Sequence, residues 1–292
     1  MPELPEVETV RLGLARLLPG REIIKVDFDW PKSFPNADTD VQKFLIGAEV
    51  VAIARRAKVL LIELSTKYSL VIHLKMTGQL VFRSRRENFG AGHPNDSMVG
   101  ELPDKSTRVT LTFADGSRLF FNDQRKFGWM RLIPTTEVAE LDFFKKVGPE
   151  PLSADFTWQT LHDRLMRRQN TSVKAALLDQ TVLAGVGNIY ADESLWGAKI
   201  HPAMLVRSLS ARHFHNLYDE LTYVLRLAIE KGGSTDKNYV DAEGKRGSYL
   251  SFARVFRREG QACPRCGTTI IKTRVAGRGT HLCPKCQKQP VA

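Results

Sequence analysis

Strand-length apolar runs crowd residues 22–134, and helical periodicity dominates from about residue 150. All four cysteines fall between Cys263 and Cys286. Together these observations predict an α+β multidomain protein. It comprises an N-terminal β-sandwich with a leading helix, a central domain of helices joined by turns, and a C-terminal β-hairpin stapled by a metal. A chain of 292 residues has ample room for separate cores.

The leading helix is expected over 5–18, where Val7, Val10, Leu14, Leu17 and Leu18 share one side before Pro19-Gly20 stops it. The strand signals follow as EIIKVDFDW, AEVVAIARR, KVLLIEL, SLVIHLKM, QLVFR, RVTLTF, RLFFND and WMRLI. ADGS at 114–117 reads as a hairpin turn. Residues 83–107 lack periodicity and read as a long surface loop. From 150 onward, TWQTLHDRLMRRQ, SVKAALLDQ, NIYADESLWGAK and SARHFHNLYDELTYVLRLAIEKGG are helical, and a polar, glycine-rich stretch over 232–249 precedes the cysteines.

The charge balance narrows the partners. Forty-three Lys and Arg against 32 Asp and Glu leave +11, and from Arg254 onward nine bases face one acid, Glu259. Such an excess favours a polyanion or a soluble basic surface. No apolar run approaches membrane-spanning length and the start is acidic, so a spanning segment and a secretory signal are not expected. The cysteine usage points to a reducing compartment, with the cytoplasm as the expected location.

CPRCG and CPKCQ place Cys263, Cys266, Cys283 and Cys286 on two knuckles with sixteen residues between them. Four thiolates complete a tetrahedral shell with no open position, so one structural Zn2+ is expected, with local disulfides the competing reading. Between the knuckles, TTIIKTRVAGRGTHL reads as two strands with Arg278 at the tip. It is either a phosphate or groove contact, or a solvated charge. Asn188 stands at the start of a helix after AGVG, where exposed N–H groups can hold a phosphate or be capped locally.

MPELPEVETV, LLDQTVLAGVGNIYADE and CPRCG…CPKCQ, with HLKMTG at 73–78 and NDQRKFG at 122–128, closely resemble the formamidopyrimidine-DNA glycosylases across essentially the whole chain. PELPEVET favours that branch over the related endonuclease VIII glycosylases, which open with a PEGPE-like start. The resemblance implies a catalytic β-sandwich domain over 1–134 and a helix-two-turns-helix DNA-binding domain over 150–232. A lesion-loop segment and connector over 233–258 and a four-cysteine zinc finger over 259–292 complete the layout. It implies a monomeric base excision repair enzyme, nucleoid-associated while acting on duplex DNA that contains damaged bases. Such an enzyme removes 8-oxoguanine and formamidopyrimidines through a Schiff base and then cuts the strand by β,δ-elimination.

In that family Pro2 is the nucleophile, Glu3 the acid–base partner and Lys58 a catalytic-site cation. Met76, Arg125 and Phe127 fill the gap left by the everted nucleotide, and His73, Asn188 and Arg278 grip the backbone. Glu6 and Glu193 are expected to brace the site. The sequence departs from the family pattern at Gln124 and Lys126, at Ala57 where glycine is common, and at Ser106-Thr107 where histidine often stands. The rival expectations are an endonuclease VIII-like enzyme for oxidised pyrimidines and a noncatalytic zinc-dependent nucleic-acid binder.

The chemistry explains the proline. Removal of Met1 frees a secondary amine, and an α-amino group titrates near pH ~8, against ~10.4 for lysine. After attack on C1′ it yields an iminium with no N–H proton to lose. That lasting charge acidifies the neighbouring C–H for elimination, while Glu3 is one residue away to move protons.

Overall fold

The computed structural model describes residues 2–93, 95–234 and 249–289. Most of the 232–249 stretch lies outside the described residues. The chain divides into two compact units, 1–145 with 231–248, and 146–230 with 249–292.

The first unit opens with α1 (Leu4–Leu17), whose Leu4, Val7, Val10 and Leu14 are fully buried. Nine strands follow among the described residues: β1 (Glu22–Phe28), β2 (Ala48–Arg56), β3 (Val59–Leu64), β4 (Tyr68–His73), β5 (Gly78–Arg83), β6 (Asn88–Gly92), β7 (Thr107–Phe113), β8 (Arg118–Asp123) and β9 (Trp129–Pro134). They pair in the order β6-β5-β8-β7-β1-β2-β3-β4-β9, every pairing antiparallel. β1 meets β2 through Glu22↔Glu49 and Ile23↔Ala48 alone, so the ribbon folds there into two layers. Leu60, Ile62, Leu70 and Ile72 of one half share a core with Leu80, Phe82, Leu111 and Phe121 of the other and with α1. This is the expected sandwich.

Residues 83–107 are not a plain loop. Arg83 pairs with Asn88 and Gln79 with Gly92, which makes β6 an edge strand, and Phe89 and Met98 are buried. Phe89 seats against Gly13 of α1, where a Cβ would come within 2.1 Å of its ring. At 114–117 the expected turn forms, with Gly116 at φ 80°.

The second unit holds α2 (Trp158–Met166), α3 (Val173–Leu178), α4 (Asn188–Gly197) and α5 (Ala211–Glu230) around Leu161, Leu177, Tyr190, Leu195, Leu221 and Leu225. Thr157 and Ser172 cap α2 and α3 through their hydroxyls. The hairpin β10 (Ile271–Val275) and β11 (Arg278–Leu282) closes with Val275↔Arg278 around Ala276 and Gly277, both at positive φ. No helix among the described residues is long and apolar enough to cross a membrane.

Candidate functional site

In the first unit, Glu3 is the N-cap of α1, with extended backbone at the positive end of the helix. Pro2, Glu3 and Glu6 are buried. Glu6 accepts the Glu3 N–H on Oε2 and the Ser234 N–H on Oε1, both at 2.7 Å. One carboxylate thus ties the chain start to the residues that lead into the 235–248 segment.

Lys58 is delivered by the two-residue turn that joins β2 to β3, where Arg56 pairs with Val59. Ala57, the first turn residue, has φ 51°, a region that glycine enters freely. Arg55 holds this turn: its Nε donates to Glu8 Oε2 and its Nη1 to the Ala57 carbonyl, each at 2.8 Å. Burial pushes the Glu8 carboxyl up, but the hydrogen bonds of Arg11 and Arg55 outweigh it and hold the group ionised.

The register Val59↔His73 sets His73 beside the buried Lys58. Burial, then the charges of Lys75 and Lys58, drop the imidazole to about 3. It is therefore neutral near pH 7. Its Nδ1 accepts the Lys75 N–H at 3.0 Å, which assigns the proton to Nε2 as a donor.

Met76, Arg125 and Phe127 come together although forty-eight residues lie between Met76 and Arg125. The pairs His73↔Trp129 and Gly78↔Asp123 set the β4–β5 and β8–β9 connections side by side. All three side chains are exposed, Phe127 by 53%, and the Arg125 guanidinium lies 4.8 Å from the Phe127 ring. The guanidinium over the exposed ring is a cation–π contact that holds the two side chains together at the loop surface. The fully buried Asp123 shapes the loop: Oδ1 accepts the Arg125 N–H at 3.1 Å and the Thr77 hydroxyl, while Oδ2 accepts Phe127 N–H at 2.8 Å and Gly128 N–H at 2.6 Å.

In the second unit, Asn188 is the first residue of α4, and its Nδ2 donates to the Gly279 carbonyl at 3.1 Å, next to the exposed Arg278. Beneath them, the fully buried Lys174 donates to Asp192 Oδ1 at 2.6 Å, Thr280 Oγ1 at 2.7 Å and the Gly279 carbonyl at 3.1 Å. Asp192 Oδ2 accepts the His281 N–H at 2.9 Å. The hairpin is pinned to α3 and α4 through one buried ion pair. Glu193, also fully buried, accepts the N–H groups of Arg254, Val255 and Phe256 and the Tyr249 hydroxyl.

The four cysteine sulfurs lie within 4.8 Å of one another, with Sγ–Sγ separations of 3.5 Å for Cys266–Cys283 and Cys266–Cys286 and 4.0 Å for Cys263–Cys286. A tetrahedron with Zn–S of ~2.3 Å has edges of about 3.8 Å. A disulfide needs about 2.05 Å. The thiol set therefore fits one structural zinc.

Asp123, the Glu8–Arg55 link and Lys174 were not singled out from the sequence. Asp123 lies in the quoted NDQRKFG and could have been found from an Asp heading a turn. Lys174 sits on an apolar helix and gave no signal.

Three family models match the chain in order: the formamidopyrimidine-DNA glycosylase N-terminal domain over 1–130, the formamidopyrimidine-DNA glycosylase H2TH domain over 147–239, and the zinc finger found in FPG and IleRS over 260–289. The chain is 39% identical over 289 residues to the formamidopyrimidine-DNA glycosylase of Pelotomaculum thermopropionicum, covering 99% of each. It matches Lactococcus lactis Fpg in complex with abasic-site DNA at TM-score 0.86 and 36% identity, over 98% of this chain and 100% of that one. The same protein bound to DNA containing N7-benzyl-Fapy-dG matches at TM-score 0.85 and 36% identity, over 99% and 100%.

Proposed function

The chain belongs to the formamidopyrimidine-DNA glycosylase family, and from that premise we propose how it excises a damaged base in base excision repair. Its substrate class is oxidised purine in duplex DNA, 8-oxoguanine and formamidopyrimidines, acted on by a monomer in the cytoplasm at the nucleoid. Once Met1 is removed, the Pro2 nitrogen attacks C1′ of the everted nucleotide and displaces the base. Glu3 moves protons at the sugar, aided by its place at a helix start where a carboxylate is favoured. The iminium then drives elimination of both flanking phosphates. Lys58, held by the Arg55-braced turn, supplies positive charge beside the reacting sugar.

Met76, Arg125 and Phe127 occupy the space vacated in the stack, which offsets the few kcal/mol that eversion costs. A neutral His73 with its proton on Nε2 donates to a backbone phosphate, as do Asn188 at the start of α4 and Arg278 at the hairpin tip. The observation that carries this reading is the pair of neighbouring loops presenting an exposed Met, Arg and Phe, in the unit that begins with buried Pro2 and Glu3.

The test is borohydride reduction with duplex DNA carrying 8-oxoguanine or an abasic site. Covalent protein–DNA adduct at the Pro2 nitrogen, located by mass spectrometry, is the expected result, and Pro2→Gly suppresses it. An adduct on a lysine, or none, refutes the assignment. Release of thymine glycol faster than 8-oxoguanine would move the substrate class to oxidised pyrimidines.

A further inference from the structure

Arg55 does more than brace the turn that carries Lys58. It joins that turn to the helix that Glu3 begins. On α1, Arg11 donates to Glu8 Oε1 from Nε at 2.9 Å and from Nη2 at 2.7 Å. This fork orients the carboxylate and leaves Oε2 to accept Arg55 Nε at 2.8 Å. The Glu8 and Arg55 side chains are only 16% and 11% exposed, so water and salt weaken the contact little.

The other end of the guanidinium acts on a single peptide group. Arg56 pairs with Val59, so Ala57 and Lys58 are the two central residues of the β2–β3 turn. Ala57 alone of the two has a positive φ, at 51°. That is the pattern of a II′ turn, whose first central position suits glycine and strains alanine. The carbonyl that Arg55 Nη1 holds at 2.8 Å belongs to the peptide between Ala57 and Lys58. Rotation of this central peptide is what interconverts turn types, and it resets φ of the residue that follows. With the carbonyl released, the strained alanine relaxes and the Lys58 side chain leaves the turn in another direction.

We propose that Glu8 is a positioning residue for the reaction: through Arg55 it fixes the central peptide of the turn, and with it the Lys58 amine relative to the Pro2 nitrogen. The inference rests on the roles given above to Pro2 and Lys58. One helix then presents the nucleophile at its start and holds the cation from its side.

A double-mutant cycle of Glu8→Gln and Lys58→Met in the full-length protein tests this, read by single-turnover excision of 8-oxoguanine. Glutamine keeps the shape, but with its oxygen taken by Arg11 its amide N–H groups face the Arg55 donor. Glu8→Gln should excise about tenfold more slowly than wild type, yet add less than about twofold to the loss in Lys58→Met. A merely structural role would cost the same factor in both backgrounds. Arg55→Lys keeps the charge but cannot serve Glu8 and the Ala57 carbonyl together, so it should repeat the pattern. It decides the matter should Glu8→Gln not fold.

Excision at the wild-type rate by these variants, or equal losses in both backgrounds, overturns the inference and leaves the proposed reaction intact. Lys58→Met that excises at the wild-type rate overturns it together with the role of Lys58, while a borohydride adduct at Pro2 would still stand. Wild-type protein that neither excises the base nor forms the adduct refutes the reaction itself, and the inference with it.

Discussion

The Pro2 corner and the Arg278 hairpin both present charged groups, but they are held in place by different physics. The first stands on a broad apolar core that unites α1 with both sheet layers, and its polar contacts refine positions the core has already set. The second has β10 exposed at four of five positions and a small cluster beneath it. Its geometry depends on four thiolates and one buried ion pair. A site built on a core degrades gradually as contacts are lost, whereas a site built on a few strong interactions fails when one is removed.

Withdrawing zinc should separate the two regions most sharply. Apparent binding free energies for structural zinc run to about 10–16 kcal/mol, so chelation should unfold the 259–289 segment and abolish tight DNA binding. Circular dichroism should still report the sheet, and loss of the sheet signal along with the zinc would erase the contrast. Next in size is Lys174→Met, which strands the fully buried Asp192 and should cost about 3–5 kcal/mol. Denaturant unfolding measures it, and a companion Asp192→Leu should recover much of the loss. If the single variant is as stable as wild type, the pin is not what holds the hairpin.

Asp123→Asn probes the core-built side. The amide keeps the shape but replaces an acceptor oxygen with a donor facing backbone N–H groups, so it should cost about 1–3 kcal/mol. The cost should appear as roughly tenfold or greater loss of single-turnover excision with the sheet intact, and unaltered excision would show that the loop holds its own shape.

The last effect is a pH slope. The His73 imidazole is depressed from its ordinary 6.5 to about 3, so between these values the unfolded chain binds a proton that the folded protein refuses. Stability therefore falls as pH drops through that window and is fully present above it. His73→Asn should flatten this slope in thermal melts from pH 7 to 4, and an unchanged slope would place the acid sensitivity elsewhere.

Local pattern made the strands, the helix starting at Asn188 and the four-cysteine spacing legible. Alternation reports a half-buried strand directly, and ligand spacing needs no tertiary knowledge. β6 was not legible, because NFGAG has one large apolar residue and its pairing depends on Phe89 meeting Gly13, seventy-six residues earlier. Lys174 gave no sequence signal, since its burial is decided by Asp192 and by a hairpin more than a hundred residues away. Ala57 could be marked as a departure, but the positive φ behind the glycine preference became visible in the turn geometry.

The carboxylate of Asp123 grips three loop amides and the neighbouring Thr77 at once. On the function proposed above, that grip makes the loop a stiff tooth whose shape is settled before any duplex is met. The give on insertion would then have to come from the DNA, so weakly stacked steps would open first.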